Sequence, residues 1–160
     1  MVDFIGLLKK EVVPAEGCTE PIAVAYAVSI ASEQLGGKPT EVRLRLSANI
    51  IKNALGVGIP GTGMVGIEIA AALGAVVRQS EKKLEVLSGF TQEQLAAARA
   101  LVDAHAVHVE QKATSEALYI EARLTDGADS SRVVIVRDHT NVVRVEKNGE
   151  VLVDEPVSVG

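Results

Sequence analysis

Two stretches of this chain are apolar on nearly every side, and they constrain the fold more than any other feature. Between residues 22 and 32 only Ser29 and Ser32 are not apolar, and residues 64–77 are broken only by Glu68 and two glycines. A helix without a polar stripe has to be buried on most of its surface. The second stretch has 14 residues, too few for a bilayer, which takes about 20. Both are therefore predicted to be helices inside a water-soluble core.

Local signals set their limits. Thr19 is a candidate N-cap, Pro21 falls in the first turn where its missing N–H costs nothing, and Gly36-Gly37 stops the helix. An earlier helix is predicted over 2–12, ended by Pro14. Residues 41–47 alternate Val42, Leu44 and Leu46 against Arg43, Arg45 and Ser47, the pattern of a half-buried strand. A short helical turn follows over 49–55. Residues 56–63 hold four glycines and Pro60 and are predicted irregular. Another turn is expected over 82–87. Thr91 and Gln94 form a capping box, with Phe90 and Leu95 spaced as a hydrophobic staple, for a helix ending near His105.

From residue 106 the pattern changes to strands: 107–111, 118–125, 132–137, 142–147 and 151–153. Asn148-Gly149 predicts a type I′ hairpin between the last two. The short gaps favour an antiparallel meander. The expectation is one α+β domain over residues 1–160, its mostly helical first two-thirds packed on an antiparallel sheet formed largely by the C-terminal third.

The core must be aliphatic. The chain has 24 Val and 21 Ala against two Phe, two Tyr and no Trp. A net charge of −5 with so few aromatics disfavours nucleic acid, which is bound by neutralising phosphates and stacking bases. The first ten residues lack the order of a signal peptide: Asp3 interrupts the apolar run and the lysines follow it. The single cysteine, Cys18, excludes an intrachain disulfide and fits a reducing compartment. A soluble cytoplasmic domain, with no membrane partner, is the expectation.

Four places carry residues suited to chemistry. Cys18 lies in Gly17-Cys-Thr-Glu-Pro21 before a helix start, where a thiolate is stabilised; the alternative is a buried structural cysteine. Gly61-Thr-Gly-Met-Val-Gly66 matches G-x-G-x-x-G formally, but lacks a convincing strand before it. Its bare N–H groups could instead cradle a carboxylate, or the loop could be only a tight turn. Asn49, Lys52 and Asn53 share one helical face, which is either solvated or a polar wall toward that loop. His139, in Asp138-His-Thr-Asn141, sits in a loop suited to acid–base work or to a plain turn. His105 and His108 fit structural positions at a helix end and a strand start.

Taken in order, the elements GCTEP (17–21), NIIKN (49–53), PGTGMVG (60–66) and HTN (139–141) make the chain resemble the amino-terminal part of the L-cysteine desulfidase family, related to the iron–sulfur L-serine dehydratases. The resemblance covers essentially all 160 residues. It implies a lyase that splits L-cysteine, or L-serine, by β-elimination, using a 4Fe–4S cluster in the full-length protein. Cys18 would be one cluster ligand. Lys52 and His139 would be the catalytic candidates, while Asn49, Asn53, Thr62, Gly63, Thr140 and Asn141 would bind substrate, with Thr19 and Glu20 beside them. Family chains are much longer, and their other cluster cysteines lie in a carboxy-terminal part lacking here. The chain would then be the inactive N-terminal part of a two-part enzyme, able to form homo-oligomers. A stand-alone amino-acid, anion-binding or regulatory domain without a cluster is the alternative.

Overall fold

The structure, a computed structural model, describes residues 19–54, 58–59 and 64–154. The predicted helix over 2–12 lies outside them. Helix α1 spans Thr19–Leu35, followed by strand β1 (Glu41–Leu46) and the short helix α2 (Ala48–Ala54). Two-residue strands β2 (Gly58–Ile59) and β3 (Met64–Val65) precede α3 (Ile67–Val77). A 3₁₀ segment over Ser80–Glu85 leads to α4 (Gln92–Asp103). Strands β4 (Val107–Gln111), β5 (Tyr119–Thr125), β6 (Ser130–Val136), β7 (Val142–Lys147) and β8 (Glu150–Asp154) complete the chain.

The helix expected from Met64 starts three residues later. Ile59 pairs with Met64 and Gly58 with Val65 in a small antiparallel ladder, so the glycine-rich segment is not wholly irregular. Gly66 then turns the chain at φ 102°, ψ 179°, a conformation that only glycine adopts freely. Helix α4 starts where the capping box placed it. The Thr91 hydroxyl accepts from the Gln94 N–H at 3.1 Å, and the Gln94 side chain accepts from the Thr91 N–H at 2.8 Å.

Six strands form the main sheet in the order β4-β1-β5-β6-β7-β8. Strands β5 to β8 are the expected meander. The Asn148-Gly149 hairpin has positive φ at both residues, as a type I′ turn requires. The sheet is mixed rather than purely antiparallel, because β1 sits between β4 and β5 and runs parallel to β4, with Val42 opposite Val107. Parallel neighbours need a long crossover, and the whole segment from α2 to α4 supplies it. The short gaps between later strands carry no trace of that arrangement.

Helices α1 and α3 cross in ascending register. Ser29 Oγ donates to the Gly74 carbonyl at 2.9 Å and Ser32 Oγ to that of Ala75 at 2.7 Å, while Ser80 N donates to Glu33 at 2.9 Å. The two helices therefore run roughly parallel. The serines that interrupt the apolar run thus bond carbonyls that would otherwise be crowded into an apolar contact. Ser131 Oγ, on β6, donates to the Ala31 carbonyl at 2.6 Å and ties α1 to the sheet. One aliphatic core joins Val24, Val28, Leu73, Leu44, Ile120 and Ile135. Fully burying side chains of this size stabilises by about 1.5–3 kcal/mol each. Among the described residues no helix is long and apolar enough to cross a membrane.

Candidate functional site

Strand pairing decides which loops meet. Leu46 lies opposite Ile120, Tyr119 opposite Val136, and Ile135 opposite Val142. Strands β1 and β6 thus end, and β5 and β7 begin, at one margin of the sheet. Helix α2 leaves β1 there, and residues 137–141 turn between β6 and β7 there. The first turn of α1 reaches the same pole, because Glu20 Oε2 stands 3.6 Å from His139 Nε2. Since α3 runs parallel to α1, its start after the glycine-rich segment faces the same way. The start of α1, helix α2 and the 137–141 turn gather at this pole, and α3 begins on the side that faces it.

At its centre is the imidazole of His139. Its Nε2 is shielded from solvent and has no hydrogen-bond partner among the described residues, although the side chain keeps 30% exposure. The Glu20 carboxylate is near enough for an ion pair but too far for a good hydrogen bond. A shielded nitrogen with an open donor–acceptor position is what a proton-transfer group needs. The turn around it is braced. Asn141 N donates to the Asp138 carbonyl at 3.1 Å, Thr140 N to Asp138 Oδ1 at 3.3 Å, and Asn141 Nδ2 to the Val136 carbonyl at 2.9 Å. The Asn141 amide nitrogen is therefore engaged in holding the loop, while Thr140 is half-buried beside His139.

The remaining candidates fall unevenly. Asn49 and Lys52 are both exposed on α2, with Ile50 buried on the opposite side. Asn53 lies in the same helix. Cys18, Thr62 and Gly63 lie outside the described residues. So does the side chain of Thr19, which is the first residue of α1 rather than the cap before it. The dinucleotide reading of residues 61–66 fails on context: α3 follows a two-residue strand of a separate ladder, not a strand of the main sheet. His105 ends α4 in the left-handed conformation at φ 58°, and His108 Nε2 lies 3.2 Å from Glu41 on the sheet.

Sequence reasoning did not find the charge network on the sheet face opposite the helices. Glu121, 2% exposed, accepts from Tyr119 Oη at 2.9 Å, Arg123 Nε at 3.1 Å and Arg132 Nε at 3.0 Å. Arg132 also donates to Glu146 at 2.8 Å, and Arg144 joins the same carboxylate. Burial pushes the Glu121 carboxyl up, but the bonds from Arg132 and Tyr119 and the Arg132 charge outweigh it and hold it below the ordinary carboxylate value. Burial, then the bond to Glu121, pushes the Tyr119 hydroxyl up. The only signal in the sequence was strand alternation, which places 119, 121 and 123 on one face without showing what they meet. Each carboxylate of the network is paired with arginine.

A metal cluster needs several ligands. Among the described residues no group of three or more His, Cys, Asp or Glu side chains could hold a metal ion. With one cysteine in the whole sequence, this chain does not fit a 4Fe–4S cluster by itself.

Fold and site together define an α+β unit with a polar pole built around a histidine and a helix start. In sequence the chain is similar to proteins named UPF0597 protein. The protein from Clostridium perfringens (strain ATCC 13124) is 54% identical over 151 residues, 94% of this chain and 35% of that protein. That of Parabacteroides distasonis is 51% identical over 151 residues, again 94% and 35%, and that of Oleidesulfovibrio alaskensis 46% over 154 residues, 96% and 36%. The chain thus spans about a third of the length of the curated relatives it matches, consistent with a fragment of a larger protein. These relatives correct the resemblance to the L-cysteine desulfidase family, since proteins sharing about half of this sequence carry the UPF0597 name. No family model matches the chain. No solved structure matches it.

Proposed function

We propose that this chain is one part of a longer lyase that removes the β-substituent of a small α-amino acid such as L-cysteine or L-serine. The observation that carries this reading is the approach of His139 Nε2 to the Glu20 carboxylate at the pole where the start of α1, helix α2 and the 137–141 turn meet. In such an elimination a base takes the α-proton, and the β-sulfur or β-oxygen leaves with its bonding electrons. The resulting aminoacrylate tautomerises to an imine, which water converts to pyruvate and ammonia. His139 is the proton-transfer candidate on this chain, and Glu20 is the carboxylate facing its Nε2. Lys52 is the second candidate, on the exposed side of α2. Residues 61–66 would meet the substrate carboxylate with backbone N–H groups, helped by Asn49, Asn53 and Thr140.

Cys18 is proposed as one thiolate ligand of an iron–sulfur cluster whose other ligands belong to the longer protein. No step is assigned to that cluster, because the residues present do not hold it. This chain alone is expected to be inactive. A single cysteine and an oxygen-sensitive centre suit the reducing cytoplasm.

The test is anaerobic purification of a protein of the relatives' full length carrying this sequence, with iron and sulfide analysis and a pyruvate assay on both amino acids. Pyruvate release is expected, falling roughly 100-fold or more in His139→Gln with iron content unchanged. Cys18→Ser is expected to lose iron. An iron-loaded protein that makes no pyruvate from either amino acid overturns the reading. Saturable amino-acid binding without turnover would point to a binding module instead.

A further inference from the structure

The opposite pole lies about 25 Å away along the 17 residues of α1. There a cavity of about 500 Å³ opens between the link from α1 to β1, the last turn of α3 and one side of α4. That volume is typical of small-molecule sites, which run about 300–1,000 Å³. Val76, Ala100 and Leu101 give it an apolar wall, and Gly37, Lys38 and Arg78 form its polar side.

Two features of that side point to an anion. The chain carries a net charge of −5, yet the described lining residues include two cations and no carboxylate, although the Asp126 side chain packs against Gly37. Arg78 also occupies the left-handed position after α3, at φ 50° and ψ 53°, where glycine or asparagine is usual. Its side chain folds back so that Nε donates to Ser32 Oγ at 2.9 Å and Nη2 to the Gly37 carbonyl. The guanidinium is therefore fixed in the wall between the ends of α1 and α3. It offsets the partial negative charge of both helix ends, which would otherwise repel an anion. Two of its five N–H donors are used in these bonds. Lys38 is exposed at the mouth.

We propose that this cavity binds a small organic monocarboxylate with an apolar body. The carboxylate meets Lys38 and Arg78, and the body lies against Val76, Ala100 and Leu101. The proposal stands apart from the reaction proposed above and uses none of its residues.

Phenylacetate is a suitable probe, with phenylacetamide lacking the charge and acetate lacking the apolar body. Titration of the 160-residue chain, followed by backbone amide NMR, is expected to give saturable shifts at Gly37, at residues 76–78 and at Ala100 and Leu101. Both control compounds should bind at least roughly tenfold more weakly, since each lacks one of the two contacts. Lys38→Gln should weaken phenylacetate binding, and Ala100→Phe, which places a ring at the cavity wall, should abolish it. No saturable shifts up to the solubility limit, shifts centred on the Glu20–His139 pole, or equal binding of phenylacetamide would each overturn the proposal.

Discussion

A Cβ on Gly74 would stand 2.9 Å from the Cα of Ala25, and closer still to the Ala25 carbonyl oxygen. Helices α1 and α3 touch backbone to backbone at this point. Gly→Ala inside a helix normally stabilises by about 0.5–1 kcal/mol. Here the sign should reverse, because the helices would have to separate within a packed core. Gly74→Ala is expected to lose about 1–3 kcal/mol in urea denaturation. A stabilised variant would mean that the crossing is looser than described.

Ser29 serves the same crossing twice, donating to the Gly74 carbonyl and accepting from Gln79 N at 3.0 Å. Ser29→Ala strips Gln79 N of this acceptor and leaves the Gly74 carbonyl only the longer bond from Arg78 N, at 3.4 Å. The expected loss is about 1–3 kcal/mol, read by thermal or urea melting against Ser88→Ala, a change at an exposed serine.

Acid should weaken the sheet through Glu121. Its carboxyl is held below the ordinary value of 4.5 in the folded chain. A depressed folded value means that the stabilisation is present above pH 4.5 and is lost as pH falls through the folded value. Glu146, drawn down first by the bond from Arg144, acts in the same direction. The unfolding midpoint should therefore fall on acidification below pH 4.5. Glu121→Gln should flatten that dependence and cost about 1–2 kcal/mol at neutral pH, since it removes one of the two carboxylates that half-buried Arg132 bonds. An unchanged acid profile in the variant would move the effect to other carboxylates.

Thr91→Ala removes one half of the capping box on α4. A loss of about 1 kcal/mol is expected, with amide exchange accelerated in the first turn of α4 and unaltered in β6. Uniform acceleration across the chain would show that α4 does not open on its own.

What could be read from the sequence was local. The cap at Thr91, the Gly36 stop at φ 80° and the Asn148-Gly149 turn are each fixed by chemistry within four residues. Strand limits came out within two residues for the same reason: alternation is a property of the segment itself. The place of β1 in the sheet depends on pairing with strands far along the chain, and nothing in residues 41–46 specifies a parallel neighbour. The site divides in the same way. His139 and Glu20 each stood out beside conspicuous neighbours, but their meeting follows from the path of α1 across the sheet. The cavity near Arg78 was invisible, because its wall of alanine and valine looks like any core.

The position of β1 between β4 and β5 also bears on how the chain reaches this structure. Residues 41–46 must find 107–111 on one side and 119–125 on the other before the six strands are continuous. Contacts between such distant segments make folding slow, because a long loop must close before either pairing helps. The hairpins from β5 to β8 have short loops and can assemble first. Until β1 arrives, β5 presents an open row of N–H and C=O groups on a Val- and Ile-rich sheet, a template for the wrong strand. A proteolysed chain missing its first fifty residues would keep that edge permanently. Such a fragment should be recovered as aggregate rather than as a smaller soluble domain.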